Sequence, residues 1–219
     1  KDWIDLWRML ARRYRKQGNV IGADLKNEPH GRASWGTGDL KTDWRLAAER
    51  AGNAILKVNP DWLIVVEGIE KNVPGQKLPG HWWGGNLEGV RKFPVRLEVP
   101  RKLVYSPHEY GAGVHHAAWF DEPNFPSNLL QRWDTGFYYI VREDIAPVLV
   151  GEFGIKATAD GGGEYVRLNF DAMDAHGLHC TLWEYSSTVD DWNDEGMSIY
   201  TPEGGEQPTA LESIRAYPD

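Results

Sequence analysis

The sequence predicts an α/β fold built on a parallel sheet, because short apolar runs alternate with segments of helical periodicity along the chain. Successive apolar runs begin about 30–45 residues apart, which leaves room for one crossover helix between parallel strands. Most of these runs lack polar alternation, as expected for strands that are buried on both faces. A closed barrel and an open doubly wound sheet both fit, and both place functional groups at the carboxyl ends of strands.

The elements follow from local patterns. An apolar stripe from Trp3 to Tyr14 has helical spacing, and Gly18 ends that helix. The predicted strands are 19–25, 62–67, 102–106, 147–152 and 179–183. The predicted helices are 2–17, 43–58, 127–143 and one after Gly161 with Tyr165, Leu168, Ala172 and Ala175 on one face, with shorter helices near 87–93 and 208–216. We expect a single catalytic domain over residues 1–219.

Composition limits the class of protein. The formal net charge of −8 argues against a nucleic-acid partner, which usually needs a basic face. No apolar run reaches membrane-spanning length, and the single Cys180 excludes an internal disulfide. His115 and His116 lack a third ligand at suitable spacing, so we predict no metal site. No glycine-rich phosphate-binding motif occurs, and we predict no cofactor.

Two glutamates stand at the ends of predicted strands. Glu28 follows the strand at 19–25 and precedes Pro29, and Glu152 ends the strand at 147–152. Side chains at such positions often carry function, because a rigid scaffold holds the loop that follows. Two carboxyls are what a glycoside hydrolase needs, one to protonate the leaving oxygen and one to attack the anomeric carbon. The alternative for each glutamate is a solvated surface charge.

Aromatic and imidazole side chains accompany the glutamates. His108 and Tyr110 lie two residues apart in an extended segment, so both project to one side and can bind a carboxylate. The chain has 11 Trp, more than a core of this size requires. Trp183 ends the last strand and can form the floor of a sugar subsite, while Trp82 and Trp83 lie in a glycine-rich loop that favours a groove wall. Core packing is the alternative for each of these rings.

Four stretches together resemble glycoside hydrolase family 5, whose members are retaining (β/α)₈ TIM-barrel cellulases. They are Ile21–His30, Asp43–Ala54, Trp82–Leu87 and Gly151–Gly154. Within that family the sequence is most similar to bacterial endo-β-1,4-glucanases. The resemblance implies that the five predicted strands correspond to strands 4–8 of the barrel.

The resemblance also implies roles. Glu28 would be the general acid/base, Glu152 the nucleophile, and Asn27 the residue that holds the sugar 2-hydroxyl. His108 and Tyr110 would position the nucleophile and stabilise nearby charge. The expected activity is retaining, endo-acting hydrolysis of a β-1,4-glucan polysaccharide or oligosaccharide, outside the cell and without a cofactor.

The segment after the last strand differs from many family members. The resemblance makes Trp183 the platform under the sugar next to the scissile bond. The sequence around it, Leu182–Ser186 and then Trp192–Met197, is similar to sequences of the glycolipid-cleaving branch of the same family. The alternatives are therefore a glucosylceramide or aryl-β-glucoside hydrolase, and a non-catalytic glycan-binding barrel fragment.

The strand count adds an expectation about completeness. A barrel of this kind needs eight strands and usually about 250 residues. Five parallel strands would leave the strands at 19–25 and 179–183 with unpaired backbone groups. We therefore expect the missing strands to come from an N-terminal barrel segment or from a second chain.

Overall fold

The computed structural model describes residues 2–156, 162–184, 197–200 and 205. The chain divides into two compact units. The first unit comprises residues 1–108 and 135–149, and the second comprises residues 109–134 and 150–219. The single catalytic domain over residues 1–219 remains a prediction.

The described residues contain six strands, five α-helices and two short helical turns. The strands are β1 (Gly22–Asp24), β2 (Leu63–Val66), β3 (Leu103–Tyr105), β4 (His108–Tyr110), β5 (Leu149–Gly154) and β6 (His179–Leu182). The α-helices are α1 (Asp2–Arg13), α2 (Trp44–Leu56), α3 (Asn128–Trp133), α4 (Tyr139–Arg142) and α5 (Gly162–Ala175). A 3₁₀ helix spans Ala118–Asp121, and a π-helical turn spans Asp134–Tyr138.

The five predicted strands are confirmed, and β4 is an additional one. It follows β3 after a break at Pro107, which has no N–H to donate to a ladder. The helix predicted over 127–143 is present as α3 and α4, joined by the π-helical turn. The helix predicted near 87–93 is wrong, because these residues form turns that Pro94 prevents from propagating. The helix predicted at 208–216 lies outside the described residues.

The first unit is built on a parallel sheet with the order β1-β2-β3. Gly22 pairs with Leu63 and Asp24 with Val65, so β1 and β2 end at the same edge. The approach is close at Gly22, where an added Cβ would lie 2.7 Å from the carbonyl oxygen of Leu63. Only glycine fits the register at this point without displacing a backbone.

Helices α1 and α2 pack on each other within the first unit, and α2 approaches the sheet at Gly52, where an added Cβ would lie 3.0 Å from Cγ2 of Ile64. Ala48, Ala51 and Ile55 of α2 are fully buried, as the helical stripe in the sequence predicts. The rings of Trp3 and Trp44 lie 6.0 Å apart between the two helices. Tryptophans of the first two helices therefore serve packing as well as any role in a groove. No described helix has the length and apolar composition that crossing a membrane requires.

The second sheet has the order β4-β5-β6 and lies mainly in the second unit. The N–H of Gly111 donates to the carbonyl of Gly154 over 2.9 Å, just beyond β4 and at the end of β5. Helix α5 packs on this unit through Phe170, whose ring meets Phe153 of β5 edge to face at 5.3 Å. The polar residues of β4 and β5 are thus held on paired backbone.

The close approach at Gly22 gives the first prediction. Gly22→Ala is expected to lower the free energy of unfolding by about 1–3 kcal/mol, because the new methyl group would push β1 from β2. Gly18→Ala is the control, since an added Cβ there meets nothing within 4 Å. Urea denaturation of the full-length protein measures both changes in the free energy of unfolding. Equal effects of the two substitutions would show that the close approach at Gly22 does not limit the size of its side chain.

Candidate active site

Glu28 lies in the loop that follows β1, in an uncommon backbone conformation. Its φ is +46°, a left-handed value that non-glycine residues seldom adopt. Its N–H donates to the Oε2 atom of Glu67 over 2.8 Å. Its side chain keeps 22% of its surface exposed. The backbone is therefore fixed by a buried acceptor while the carboxyl stays accessible to solvent.

His108 stands between two carboxylates in the first unit. Its Nδ1 lies 3.1 Å from Oε1 of Glu28, and its Nε2 lies 3.5 Å from Oε1 of Glu67. The His108 side chain is 2% exposed and that of Glu67 is 1% exposed. A neutral imidazole carries one N–H, and the charged ring carries two, so only the charged ring can donate on both sides.

The strands explain why these side chains meet. Glu67 directly follows β2, whose partner β1 leads into Glu28. The Ser106 N–H donates to the carbonyl of Val66 over 2.9 Å and brings the segment before His108 to the same edge. Gly84 closes over Glu67, because an added Cβ would lie 2.5 Å from Oε2 of Glu67.

The loop after Glu67 carries the predicted groove tryptophans. Trp83 stacks on His30 with ring centroids 3.8 Å apart and an interplanar angle of 11°. The Nδ1 of His30 lies 2.6 Å from the carbonyl oxygen of Glu28. Trp83 is 49% exposed, and Trp82 is partly buried. The two rings of the stack therefore form an accessible surface beside Glu28.

A buried ion pair closes the base of the same loop. His81 Nε2 lies 2.9 Å from Oε1 of Glu88, and both side chains are about 95% buried. Glu88 also accepts the N–H groups of Lys77 and Leu78 at 2.6 and 3.2 Å. Burial alone would raise the pKa of Glu88, but the hydrogen bonds from His81, Lys77 and Leu78 hold that pKa below its ordinary value of 4.5.

The second unit brings Tyr110 and Glu152 together. The hydroxyl of Tyr110 donates to a carboxylate oxygen of Glu152. Tyr110 is 7% exposed and Glu152 is partly buried. Trp183 follows β6, and its N–H donates to the carbonyl of Phe153 over 2.8 Å. The three predicted site residues of this unit thus lie on adjacent strands or immediately after them.

The structure shows which of the predicted site residues make contacts within each unit. Within the first unit, Glu28 contacts His108 and Trp83 contacts His30, while Asn27 is exposed. Within the second unit, Tyr110 contacts Glu152. The roles predicted for these residues remain predictions.

Sequence reasoning gave no role to Glu67 or His30. The pattern that singled out Glu28 and Glu152, a glutamate directly after an apolar strand, also applies to Glu67. His30 had no comparable pattern. Its only local feature is a position two residues after Glu28.

Glycoside hydrolases typically use a pair of Asp or Glu side chains, and each unit places one such glutamate, Glu28 or Glu152, at or just beyond the end of a strand. The model of the cellulase family, glycosyl hydrolase family 5, matches residues 1–189. The chain belongs to that family.

Named relatives are endoglucanases. An endoglucanase from Paenibacillus polymyxa is 51% identical over 202 residues, which cover 87% of this chain and 50% of the relative. The major extracellular endoglucanase of Xanthomonas campestris pv. campestris is 43% identical over 155 residues, covering 71% of this chain and 31% of the relative. This chain therefore spans at most half the length of these two relatives.

Solved structures agree with the family. An endocellulase from Pyrococcus horikoshii in complex with cellotetraose matches with a TM-score of 0.88 and 35% identity. The match covers 98% of this chain and 62% of that one. The catalytic domain of the Xanthomonas endoglucanase matches with a TM-score of 0.85 at 33% identity.

The buried pair at the base of the loop gives a pH prediction. A carboxyl with a lowered pKa stabilises the fold above its unfolded pKa and loses that contribution as the pH falls from about 4.5 through the folded pKa. Glu88→Gln is expected to lower the free energy of unfolding by about 1–3 kcal/mol at pH 7. The difference from the unsubstituted protein should shrink as the pH falls below about 4.5.

Glu98→Gln is the matched control, because the Glu98 side chain is 63% exposed and its partner Lys57 lies at 3.5 Å. Its effect should stay within about 1 kcal/mol at every pH. Urea denaturation at a series of pH values measures both variants. A Glu88→Gln effect independent of pH would contradict the assignment.

Proposed function

We propose that the protein is a retaining, endo-acting β-1,4-glucan hydrolase in which Glu28 is the general acid/base and Glu152 the nucleophile. The observation that carries the proposal is the pair of strand-end glutamates, each with a buried partner. His108 lies 3.1 Å from Glu28, and Tyr110 donates to Glu152. Family membership supports the same reaction class.

In the first step, a carboxylate oxygen of Glu152 attacks the anomeric carbon and forms an ester bond. The bond from that carbon to the leaving oxygen breaks, and the oxygen takes the bonding electron pair together with the proton of Glu28. In the second step, Glu28 removes a proton from water as the water oxygen attacks the same carbon. Glu152 leaves as a carboxylate, and two inversions retain the configuration.

The partners of the two glutamates suit these different tasks. A hydroxyl that donates to Glu152 favours the charged carboxylate, which is the nucleophilic form. Glu28 has 22% of its side chain exposed, so it can exchange its proton with solvent between the two steps. The retaining mechanism further requires the two carboxyls about 5–5.5 Å apart across one glycosidic bond.

A β-1,4-glucan is the proposed substrate. Flat indole rings bind the faces of glucose units, and Trp83 is about half exposed beside the Glu28 loop. We propose that Trp183, Trp82 and Trp83 line subsites and that Asn27 binds the sugar 2-hydroxyl. The cellotetraose bound to the Pyrococcus endocellulase supports this substrate class. The name of the Xanthomonas relative supports an extracellular location.

The test is hydrolysis of a panel of substrates by the full-length protein. Carboxymethyl-cellulose and lichenan should be cleaved internally, with a rapid fall in viscosity, while mannan and glucosylceramide should not. Preferential cleavage of glucosylceramide or an aryl glucoside would favour the glycolipid-type alternative. Binding without cleavage would favour a non-catalytic glycan binder.

The roles of the glutamates give a second test. Glu152→Gly should abolish turnover, and azide should restore cleavage of an activated glycoside with inverted product, because azide replaces the missing nucleophile. Glu28→Ala should lose about 10²–10⁴-fold on unactivated glucans but retain activity on substrates with good leaving groups, which need no acid. Azide rescue of Glu28→Ala to an inverted product would reverse the assignment.

We further propose that the six described strands belong to strands 4–8 of a (β/α)₈ barrel, with the third predicted strand present as β3 and β4. Among the described residues, β1 pairs with a strand on one side only, which is β2. Ile21, which directly precedes β1, is 71% exposed, and Leu6 of α1 is 52% exposed. An N-terminal barrel segment or a second chain would cover these groups.

That proposal predicts the behaviour of residues 1–219 expressed alone. Without neighbours for β1, the isolated segment should associate or unfold without cooperativity, because an open parallel edge recruits other chains. Size exclusion and near-ultraviolet circular dichroism measure both properties. A monomer that unfolds cooperatively and degrades cellulose would show that the strand count is wrong.

A further inference from the structure

We propose that Glu67 is a positioning residue for the general acid: it fixes the backbone of Glu28 and the ring of His108, and through them the direction of the Glu28 carboxyl. The inference rests on the proposed function and deepens it. Glu67 has no assigned part in the reaction, yet it is the most deeply buried carboxylate in contact with Glu28.

Burial makes the Glu67 carboxylate dependent on its neighbours. Its side chain is 1% exposed, and a carboxylate withdrawn from water is strongly unfavourable unless donors surround it. Each oxygen has a nitrogen neighbour. Oε2 accepts the Glu28 N–H at 2.8 Å, and Oε1 faces Nε2 of His108 at 3.5 Å.

The first attachment acts on the backbone. Glu28 has a φ of +46°, which a side chain larger than glycine adopts only when its surroundings hold it there. The hydrogen bond from the Glu28 N–H to Glu67 holds one side of this peptide, while Nδ1 of His30 lies 2.6 Å from the Glu28 carbonyl oxygen. Loss of that acceptor would free Glu28 to return to an ordinary φ and would swing its carboxyl.

The second attachment acts through the imidazole ring. Nδ1 of His108 lies 3.1 Å from Oε1 of Glu28, and the opposite nitrogen faces Glu67. A carboxylate on the far side of a histidine fixes the ring's orientation and favours a proton on the facing nitrogen. Glu67 therefore controls which hydrogen bond His108 offers to the acid/base residue.

The surrounding chain holds Glu67 itself in place. Its carbonyl accepts the indole N–H of Trp44 at 2.9 Å. Gly84 covers its carboxylate at a distance that leaves no room for a methyl group, with a φ of +73° that favours glycine. Gly84→Ala would therefore displace the Glu67 carboxylate without changing its charge.

This role predicts a loss that depends on the leaving group. Positioning of the acid matters only when the departing oxygen needs a proton, so the loss should be large for cellotetraose and small for 2,4-dinitrophenyl cellobioside. A merely structural residue would lower both rates alike. Cleavage of the dinitrophenyl substrate also reports that the variant is folded and that its nucleophile works.

The experiment compares variants of the full-length protein on these two substrates. Glu67→Leu should lose about 10²-fold in kcat/KM on cellotetraose and less than about threefold on the activated substrate. Glu67→Gln keeps an acceptor for the Glu28 N–H but loses the charge that faces His108, so its loss should be about tenfold. Gly84→Ala should show the same selective loss.

Glu70→Gln is the matched control. The Glu70 carboxylate also holds the loop after β1, through the N–H of Gly31 at 3.1 Å, but its contacts are with Gly31 and Lys71. Its variant should leave both rates within about threefold of the unsubstituted protein. A selective loss in this control equal to that of Glu67→Gln would overturn the inference.

A double variant completes the test. In a Glu28→Ala background the acid is already absent, so Glu67→Gln should cause no further loss on either substrate beyond about threefold. Equal losses in both backgrounds, or equal losses on both substrates, would overturn the positioning role. If the unsubstituted protein cleaves neither substrate, the proposed function fails and the inference fails with it. If it cleaves both and the Glu67 variants show no selectivity, only the inference fails.

Discussion

The parallel register between β1 and β2 is the constraint on which the placement of Glu28 and Glu67 depends. Gly22 pairs with Leu63 and Asp24 with Val65, so the two strands reach the same edge of the sheet together. Both then continue into polar loops, and the backbone of Glu28 meets the carboxylate of Glu67 there. A shift of one residue would move every side chain of β1 to the opposite face and would separate these groups.

Several carboxylates lie near the strand ends of each unit, and each unit provides local partners for them. His108 stands between Glu28 and Glu67, His81 neutralises the buried Glu88, and a hydroxyl supports Glu152. Glu67, Glu88 and Glu152 each accept at least one hydrogen bond within their own unit. This arrangement keeps acidic groups available for chemistry despite their burial.

Glycines allow the chain to pack closely around these groups. Gly22 lets two strands approach, and Gly84 lets a loop close over the Glu67 carboxylate. Both positions lie within the stretches that show resemblance to the family or directly beside a residue of the candidate site. The absence of a side chain at these two positions is therefore part of how the surroundings of Glu28 and Glu67 are built.

The sequence by itself determined the strand ends. Apolar runs that stop at polar residues identified Glu28 and Glu152, and the helical stripe of α2 identified the buried Ala48, Ala51 and Ile55. These patterns are local, because the spacing of apolar residues within one segment shows which strand or helix face is buried. Family membership could be inferred from the motifs around the same positions.

Only the tertiary structure decided which side chains meet. Glu67 and Glu28 are 39 residues apart, and His108 is 80 residues from Glu28, so no local pattern joins them. The left-handed backbone of Glu28 is likewise accompanied by a distant hydrogen bond, from its N–H to Glu67. Packing between separate segments decides which side chains become neighbours. The periodicity of apolar residues along one segment does not contain that information.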